Sequence, residues 1–392
     1  LWLQGDASPF AAAALPLVRT LALEAGGIAI TPLAPVVHPT LARRSTAQRD
    51  DIAGAVVFLT GGSGAIGRAM AAALMRRGAA AVILGGRNAP IGDDFPFVRC
   101  DVADRSSLRA ALDDTIRRYG RIDGIIHSAG VLKDGLARGK DRAAFDSVLH
   151  PKIDGLIALD AETADMPLRF FLVNSSVAAV HGAVGQSDYA AANAFMDRFM
   201  ANRAEQVARG ERSGHSLSIG WTLWAEGGMR VTDRVARSMT RRMGTDPLTT
   251  DRALSVYLDV LDGALPPRVV AGQGDVARFL RFLTDGDTLG QPPATPTATS
   301  TTPVTDTRPA LVDRLVQMLA ETLGMEPATL RPGLPFERYG FDSLLAVEMV
   351  EKLEKWLGVS LSATLFFEAL NLNAVADALL RQWPDAVAAA LP

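Results

Sequence analysis

Between residues 51 and 285, short apolar runs alternate with segments of helical spacing, and this alternation limits the possible folds more than any other feature. The segment with Leu108, Leu112 and Ile116, for example, places its apolar side chains on one face of a helix. Strand-like runs occupy residues 55–59, 81–84, 124–127, 170–174, 216–220 and 268–275. Because strands that alternate with helices form parallel sheets, the sequence predicts an α/β fold with a doubly wound parallel sheet.

A polar stretch separates this segment from the last part of the chain. Residues 286–309 are mostly Thr, Pro, Gly, Asp and Gln with almost no large apolar side chain, so they cannot bury enough surface to offset the entropy of ordering. This composition predicts a semi-stiff linker. Apolar residues then recur at helical spacing from Leu311 to Leu357, which predicts a small all-α four-helix bundle over residues 310–385 and a trailing linker at 386–392.

The first 50 residues also have a globular pattern but are too few to close a sheet. A helix is predicted near residues 10–24 and a strand near residues 27–32. Our hypothesis is that residues 1–50 are the remnant of an upstream structural subdomain, and the alternative is an ordinary first strand and helix of the main sheet. The chain begins without Met and ends in an Ala-rich stretch. Both ends are therefore predicted to be cuts in a longer polypeptide.

Composition excludes several classes of function. The formal net charge is −3, and no basic stripe is interleaved with aromatic residues, so nucleic acid is not an expected partner. No apolar run reaches the ~18 residues that a membrane-spanning helix needs, so no membrane partner is expected either. The single cysteine, Cys100, excludes an internal disulfide framework and a multi-thiolate metal site. We expect no metal centre and a cytoplasmic location.

A glycine-rich turn follows the first predicted strand. Gly62, Gly64 and Gly67 form a G-x-G-x-x-G pattern at the start of a helix, and this context predicts a dinucleotide site on a Rossmann sheet. A side chain at these glycines would block both the tight turn and the approach of a pyrophosphate to the free N–H groups of the helix. The flanking residues of the predicted cofactor site are Thr60, Ser63 and Ile66.

Three later strand ends complete the predicted cofactor site. Arg87 stands where a carboxylate would suit the ribose of NAD, and a cation there can pair with a 2'-phosphate, which indicates NADPH. Asp101 and Val102 follow the next strand and are predicted to hold the adenine edge. The predicted neighbours of the nicotinamide ribose are Ser128, Ala129 and Gly130.

Together with these features, the stretch from Tyr189 to Asn193 (YAAAN) resembles the short-chain dehydrogenase/reductase superfamily, and more narrowly the ketoreductase domains of modular polyketide synthases. Most short-chain reductases have Tyr-x-x-x-Lys, whereas polyketide and fatty acid synthase ketoreductases exchange the Lys and Asn positions. The resemblance implies that Lys152 supplies the ammonium and that Ser176 completes the catalytic set. It also implies an NADPH-binding catalytic ketoreductase domain over residues 51–285.

The chemistry explains why these residue types are needed. Reduction of a ketone by hydride produces an alkoxide, so the site must donate a proton and stabilise negative charge. Tyr189 would donate the proton, and the Lys152 ammonium would lower the phenol's pKa of ~10. Ser176 would hold the carbonyl oxygen. Asn193, one helical turn after the tyrosine, would position the lysine or a water in a proton relay.

Two further features of the resemblance concern the substrate. Leu132, Lys133 and Asp134 resemble the Leu-x-Asp motif of ketoreductases that form the D-configured alcohol, although the fuller motif has Asp at the second position. His181 stands where L-type enzymes carry Trp. Residues 220–229 resemble the segment before the ketoreductase lid. The predicted lid residues are Trp224 and Met229, followed by a lid helix at about 233–243.

The stretch GFDSLLAVEM at residues 340–349 resembles the acyl carrier motif in which a serine receives 4'-phosphopantetheine. The resemblance implies that Ser343 carries this group, added by a phosphopantetheinyl transferase. Asp342 can cap the helix that Ser343 begins, and the phosphodiester would face the positive end of the helix dipole. The acidic residues along this helix, which could meet basic partners or form a plain solvated face, are Glu348, Glu351 and Glu354.

These resemblances imply reduction of a carrier-bound β-ketoacyl thioester to a β-hydroxyacyl thioester, beside an attached acyl carrier domain. The implied partners are the acyl thioester and other synthase domains such as a ketosynthase and an acyltransferase. Two alternatives stay open. One is the corresponding pair of a multifunctional fatty acid synthase, and the other is a silent reductase scaffold in which only the carrier functions.

Overall fold

The computed structural model describes residues 20, 49–90, 92, 95–183, 185–226, 240, 243–285, 307–339, 341, 343–359, 361 and 365–391. Most of the predicted 1–50 remnant lies outside these residues, as do Met229, most of the predicted lid helix and residues 286–306 of the predicted linker.

A seven-stranded parallel sheet forms the centre of the first folded unit. Its strand order is β3-β2-β1-β4-β5-β6-β8, and each neighbouring pair is parallel. The predicted doubly wound Rossmann sheet is therefore confirmed. The strands of the sheet are β1 (Val56–Thr60), β2 (Ala81–Gly86), β3 (Phe97–Arg99), β4 (Gly124–His127), β5 (Phe170–Ser176), β6 (His215–Trp221) and β8 (Arg268–Ala271).

Helices cover both faces of the sheet, and each face has its own core. Alternate residues of β1 show the division: Val57 and Leu59 belong to one core, and Val56 and Phe58 to the other. The first core also contains residues of α1 and α7, and the second contains residues of α2, α4 and α6. The helices of this unit are α1 (Ala65–Arg76), α2 (Arg105–Tyr119), α3 (Arg142–Lys152), α4 (Asp154–Glu162), α5 (Ala178–His181), α6 (Ser187–Ala208), α7 (Thr250–Leu261) and α8 (Val276–Asp285).

The strand predicted at residues 268–275 is divided. Its first part is β8, whereas β9 (Gln273–Gly274) leaves the sheet and pairs antiparallel with β7 (Thr245–Asp246). Gly274 has a φ of +131°, a conformation that other residues rarely adopt. The chain can therefore change direction here in a way that the apolar pattern of the sequence did not indicate.

The second folded unit is helical, as predicted. Its helices are α9 (Arg308–Leu323), α10 (Ser343–Leu357), α11 (Leu365–Glu368), α12 (Leu372–Gln382) and α13 (Pro384–Ala390), which surround one apolar core. Helix α9 begins at Arg308, so it includes two residues that the sequence analysis placed in the linker. Helix α13 extends into the predicted trailing segment. No helix in the described ranges has the length and apolar character needed to cross a bilayer.

A buried arginine joins several elements around the second core of the first unit. Arg203 of α6 is 1% exposed and donates to Asp160 Oδ1 of α4 at 2.8 Å. It also donates to the Ser216 hydroxyl of β6 at 3.0 Å and lies over the ring of Phe171 in β5. Burial opposes the charged form and lowers the pKa of Arg203, while the Asp160 carboxylate acts in the opposite direction.

We predict that Arg203→Met lowers the free energy of unfolding by about 1–3 kcal/mol, because Asp160 and Ser216 lose a buried donor while Arg212, 3.1 Å from Asp160, remains as the partner of that carboxylate. Urea unfolding of the full chain measures the change. Arg209→Met, on the polypeptide just after the same helix, is the matched control, because the Arg209–Glu211 pair is about half exposed and its loss should have no measurable effect. Equal stability of the Arg203→Met variant and the wild type would contradict the prediction.

Candidate active site

The candidate site lies where several parallel strands end at the same edge of the sheet. Thr60 at the end of β1 pairs in register with His127 at the end of β4, and Ser176 ends β5. The strand order reverses between β1 and β4, and ligands of doubly wound sheets bind in the crevice at such a point.

The glycines in the turn after β1 are needed for different physical reasons. A Cβ at Gly62 would lie 2.7 Å from Leu84 Cδ2, and one at Gly67 would lie 2.8 Å from the Gly62 Cα, so packing within the protein requires both. Gly61, which the sequence pattern did not single out, has a φ of +72° and approaches the backbone of Ser128. At Gly64 the nearest protein atom would be 3.7 Å away. Of these four glycines, Gly64 alone has room around it within the protein, which fits the close approach of a ligand.

The N-terminus of α1 fits an anionic group. Gly64 is the N-cap, no side chain caps the helix, and its first turn has no acidic residue. The free N–H groups of this turn are therefore available to a pyrophosphate. Ser63 donates instead to the Asn88 carbonyl at 2.7 Å, which joins the turn to the exposed segment that carries Arg87. The half-buried Ile66 packs against the first core.

The other predicted cofactor residues lie in the turn after β3, in the second core and in the segment after β4. Asp101 Oδ1 accepts from the Ala103 N–H at 3.1 Å and so shapes the turn after β3. Val102 is 5% exposed, and its side chain belongs to the second core. Ser128 follows β4 and donates its N–H to the Thr60 carbonyl at 3.1 Å. Ala129 and Gly130 continue this segment towards Lys152.

The structure brings the four predicted catalytic residues together. Lys152 ends α3 and donates from Nζ to Asn193 Oδ1 at 3.1 Å. The same Nζ lies 5.2 Å from the centre of the Tyr189 ring. Asn193 donates to the Tyr189 carbonyl at 2.7 Å, one turn earlier on α6, and the Ser176 side chain is close enough to the Tyr189 phenol to lower its pKa. Residues from β5, α3 and α6 therefore lie around Tyr189.

Burial shifts the pKa values of both Lys152 and Tyr189. Burial lowers the pKa of the Lys152 ammonium from its ordinary 10.5 to about 8, with Asp197 acting in the opposite direction. The pKa of Tyr189 is raised by burial, and the hydrogen bonds from Ser176 and Asn193 oppose that rise. We expected Lys152 to lower the phenol pKa, but desolvation outweighs any such effect. The Tyr189 phenol is therefore protonated at neutral pH.

A neutral histidine lies beside the lysine. Thr60 Oγ1 and His127 Nδ1 are 2.8 Å apart, and burial, followed by repulsion from Lys152, lowers the His127 pKa to about 3. The Thr60 hydroxyl therefore supports the His127 imidazole, in addition to its predicted place in the cofactor site. A close packing partner of Lys152 is Gly130, where a Cβ would lie 2.8 Å from Lys152 Cε.

The sequence analysis missed Asp197. It lies on α6 one turn beyond Asn193, and its Oδ1 accepts from the Ser218 hydroxyl at 2.5 Å. Burial raises the pKa of its carboxyl group, whereas Arg268 and Lys152 are among the groups that lower it. The signal was available, because Tyr189, Asn193 and Asp197 repeat at intervals of four and so share one helix face.

The predicted stereocontrol residue lies beside the helix that carries Tyr189. Gln186 Nε2 donates to Asp134 at 3.1 Å to Oδ1 and 3.3 Å to Oδ2. His181, at the position where L-type enzymes carry Trp, packs edge-on against Phe282 of α8 with ring centres 4.7 Å apart.

Trp224 does not occupy the place predicted for a lid residue. Its side chain is 3% exposed, it belongs to the first core, and its ring packs edge-on against Trp221 at 5.1 Å. A backbone bridge to Leu248 fixes the strand-like segment that carries it. Because the indole is enclosed by core residues, it is not free to close over a substrate.

In the helical unit, Ser343 is the first residue of α10, as predicted. Glu348 does not belong to an acidic surface: its side chain is 3% exposed and lies 3.5 Å from Lys352 Nζ. Glu354 accepts from the Leu361 N–H at 2.8 Å and so anchors the following segment.

Within the described part of the chain, no group of three or more His, Cys, Asp or Glu side chains could hold a metal ion.

Family comparisons agree with this geometry. Residues 55–226 match the model of the KR domain, and residues 313–379 match that of the phosphopantetheine attachment site.

Relatives include the polyketide synthases PksL and PksN of Bacillus subtilis, which are 33% and 31% identical over 82% and 86% of this chain. The chain spans only 8% and 6% of their lengths. A ketoreductase domain from the bacillaene assembly line superposes with a TM-score of 0.55 and is 31% identical, over 62% of this chain and 61% of that one. An N-terminal ketoreductase from the macrolactin assembly line has a TM-score of 0.51 and is 29% identical, over 59% and 47% of the two chains.

The chain therefore belongs to the modular polyketide synthases as a fragment with a ketoreductase domain of the short-chain dehydrogenase/reductase type, followed by a phosphopantetheine carrier domain.

Proposed function

We propose that the first unit reduces a carrier-bound β-ketoacyl thioester to the β-hydroxyacyl thioester with NADPH. The observation that carries this proposal is the grouping of Lys152, Asn193 and Ser176 around Tyr189, at the sheet edge that also holds the glycine-rich turn. Each of these groups has a defined task in converting a ketone to an alcohol.

The Tyr189 phenol is the proton donor. When bound, the nicotinamide supplies the hydride that makes the carbonyl oxygen negative. Ser176 donates a hydrogen bond to that oxygen and fixes its direction, and the raised pKa of Tyr189 keeps a proton available for it. Lys152 stabilises the phenolate that remains, while Asn193 holds the ammonium in place. The Asp197 carboxylate acts to raise the pKa of Lys152 and so favours the charged form of the lysine.

NADPH is proposed over NADH because of charge. Arg87 is exposed after β2, close in sequence to Asn88, whose carbonyl accepts from the glycine-rich turn. A guanidinium there suits the 2'-phosphate of NADPH in two parallel hydrogen bonds. No acidic side chain occurs in the first turn of α1 to oppose the pyrophosphate.

Asp134 and the absence of Trp at position 181 support the D-configured alcohol as the product.

For the second unit, we propose that Ser343 carries 4'-phosphopantetheine, added by a phosphopantetheinyl transferase, because it begins α10, whose N-terminal N–H groups favour a phosphodiester. A long flexible arm and the 286–309 segment would give the tethered thioester a high effective concentration at several sites. Ketosynthase and acyltransferase domains are the proposed partners.

The polyketide synthase relatives favour this setting over a fatty acid synthase pair. A silent reductase scaffold is the second alternative. The intact set of Tyr189, Ser176, Lys152 and Asn193 supports an active enzyme over that scaffold.

Tyr189→Phe should lower kcat by about 10²–10⁴-fold, because the general acid is removed while the ring is kept. NADPH oxidation with a β-ketoacyl cysteamine thioester measures the loss, and chiral analysis of the wild-type product should give the D alcohol. Tyr119→Phe, which changes a tyrosine at the end of α2, is the matched control and should retain full turnover. A wild type without turnover, or Tyr189→Phe with wild-type turnover, would reject the enzymatic proposal.

Reduction should slow in alkaline solution. It requires Lys152 as the ammonium, and this form is lost as the pH rises through the Lys152 pKa of about 8. At saturating NADPH and thioester, kcat is therefore expected to fall by about tenfold for each pH unit above that value, and to level off below it. The Tyr119→Phe control should give the same profile. A kcat that stays constant up to about pH 10 would exclude this role for Lys152.

For the carrier unit, Ser343→Ala should abolish loading. Incubation of the wild type with coenzyme A and a phosphopantetheinyl transferase should add the mass of one phosphopantetheine arm, as seen by mass spectrometry of the intact chain. Ser300→Ala is the matched control, because it removes a serine of the predicted linker and should load fully. Loading of Ser343→Ala would place the attachment elsewhere.

A further inference from the structure

A buried ion pair lies next to the proposed proton donor and was not indicated by any sequence motif. Lys140 Nζ is 2.6 Å from Asp188 Oδ1, and the two side chains are 5% and 1% exposed. Arg142 and Asp146 are also 2.6 Å apart, but the arginine side chain is 88% exposed. The two pairs have the same length and different surroundings, so only the first is shielded from water and salt.

Asp188 is bound directly to the backbone of the proton donor. It is the second residue of α6, immediately before Tyr189, and its Oδ1 also accepts from the Tyr189 N–H at 2.8 Å. One carboxylate oxygen therefore joins the Lys140 ammonium to the first turn of the helix that carries the phenol. These two contacts link the position of Lys140 to that of the turn.

Lys140 belongs to the segment that contains Asp134. This segment, residues 134–140, ends with the short 3-10 turn Ala137–Gly139 and then Lys140. Two more hydrogen bonds join it to the residues before Tyr189: Gly135 donates its N–H to the Gly185 carbonyl at 2.9 Å, and Gln186 donates to Asp134 at 3.1 Å. Three bridges therefore connect the segment to residues 185–188.

The ion pair is the charged member of these bridges. The second oxygen of Asp188 and the Ser187 hydroxyl are buried and have no hydrogen-bond partner among the described residues. Removal of the ammonium would leave a carboxylate in a dry environment, and the segment would shift to hydrate it. A shift of about 1 Å is enough to change a reaction rate by up to about 100-fold when it misaligns the donor.

We propose that Lys140 and Asp188 are positioning residues that hold Asp134 in register with Tyr189, and thereby set both the rate of proton donation and the face of the ketone that is reduced. Neither side chain needs to touch the substrate. The inference rests on the proposed reductase function, and it adds a determinant of stereochemistry that lies outside the Leu132–Asp134 motif.

The test compares Lys140→Met with Arg142→Met, which removes the exposed cation two residues later. Turnover of a β-ketoacyl cysteamine thioester gives kcat and KM, and chiral chromatography gives the ratio of the two alcohols. For Lys140→Met we expect kcat to fall by about 10- to 100-fold, with KM changed by less than about threefold, and the fraction of the minor alcohol to rise by about tenfold. Arg142→Met should match the wild type in all three, and Lys140→Arg should recover most of the selectivity.

NADPH fluorescence and thermal unfolding check separately that each variant is folded. If Lys140→Met is too unstable, Lys140→Met/Asp188→Asn removes both charges, keeps an oxygen that can accept from the Tyr189 N–H, and should recover thermal stability. The double variant is still expected to form more of the minor alcohol. A folded single or double variant with the wild-type kcat and alcohol ratio would overturn the inference. A wild type without turnover would instead reject the proposed function on which it rests.

Discussion

The parallel pairing of β1, β4 and β5 is the constraint on which the site depends. Because these strands run in the same direction, Thr60, His127 and Ser176 are placed at one edge of the sheet. The 2.8 Å contact between the Thr60 hydroxyl and the His127 ring joins the first two strand ends. The glycine-rich turn and the Lys152 side chain are then built against this edge, so the candidate cofactor crevice and the proposed proton donor share one rigid support.

Close packing at that edge also sets the protonation of the groups around it. A Cβ at Gly130 would press on Lys152, and one at Gly155 would lie 2.9 Å from Val102, so little space is left for water. The same dryness lowers the pKa of Lys152 to about 8, lowers that of His127 to about 3 and raises that of Tyr189. One cause, desolvation, therefore keeps the imidazole uncharged, the phenol protonated and the amine able to change its charge near neutral pH.

Local sequence patterns predicted the features that depend on local physics. The apolar runs indicated the strands of the parallel sheet, and the glycine pattern identified a turn in which packing requires Gly62 and Gly67. The wrong expectations concern burial, which depends on how whole elements pack together. Trp224 is a core residue and Glu348 is paired with a buried lysine, although both were expected to face outward. Lys140 and Asp188 are 48 positions apart, so no periodicity could have paired them.

The buried cations of the described residues differ in what opposes their charge, and this difference separates structural from chemical roles. Arg203, Lys140 and Lys352 each lie within 4 Å of a carboxylate, and such pairing fixes a charge in place. Lys152 instead donates to the neutral amide of Asn193. The Asp197 carboxylate, which lies one turn after Asn193 on α6, acts to raise the pKa of Lys152. A cation that is held by an amide keeps its position without being locked in its charged form. This property suits the proposed function, in which the group must both stabilise a phenolate and exchange its own proton.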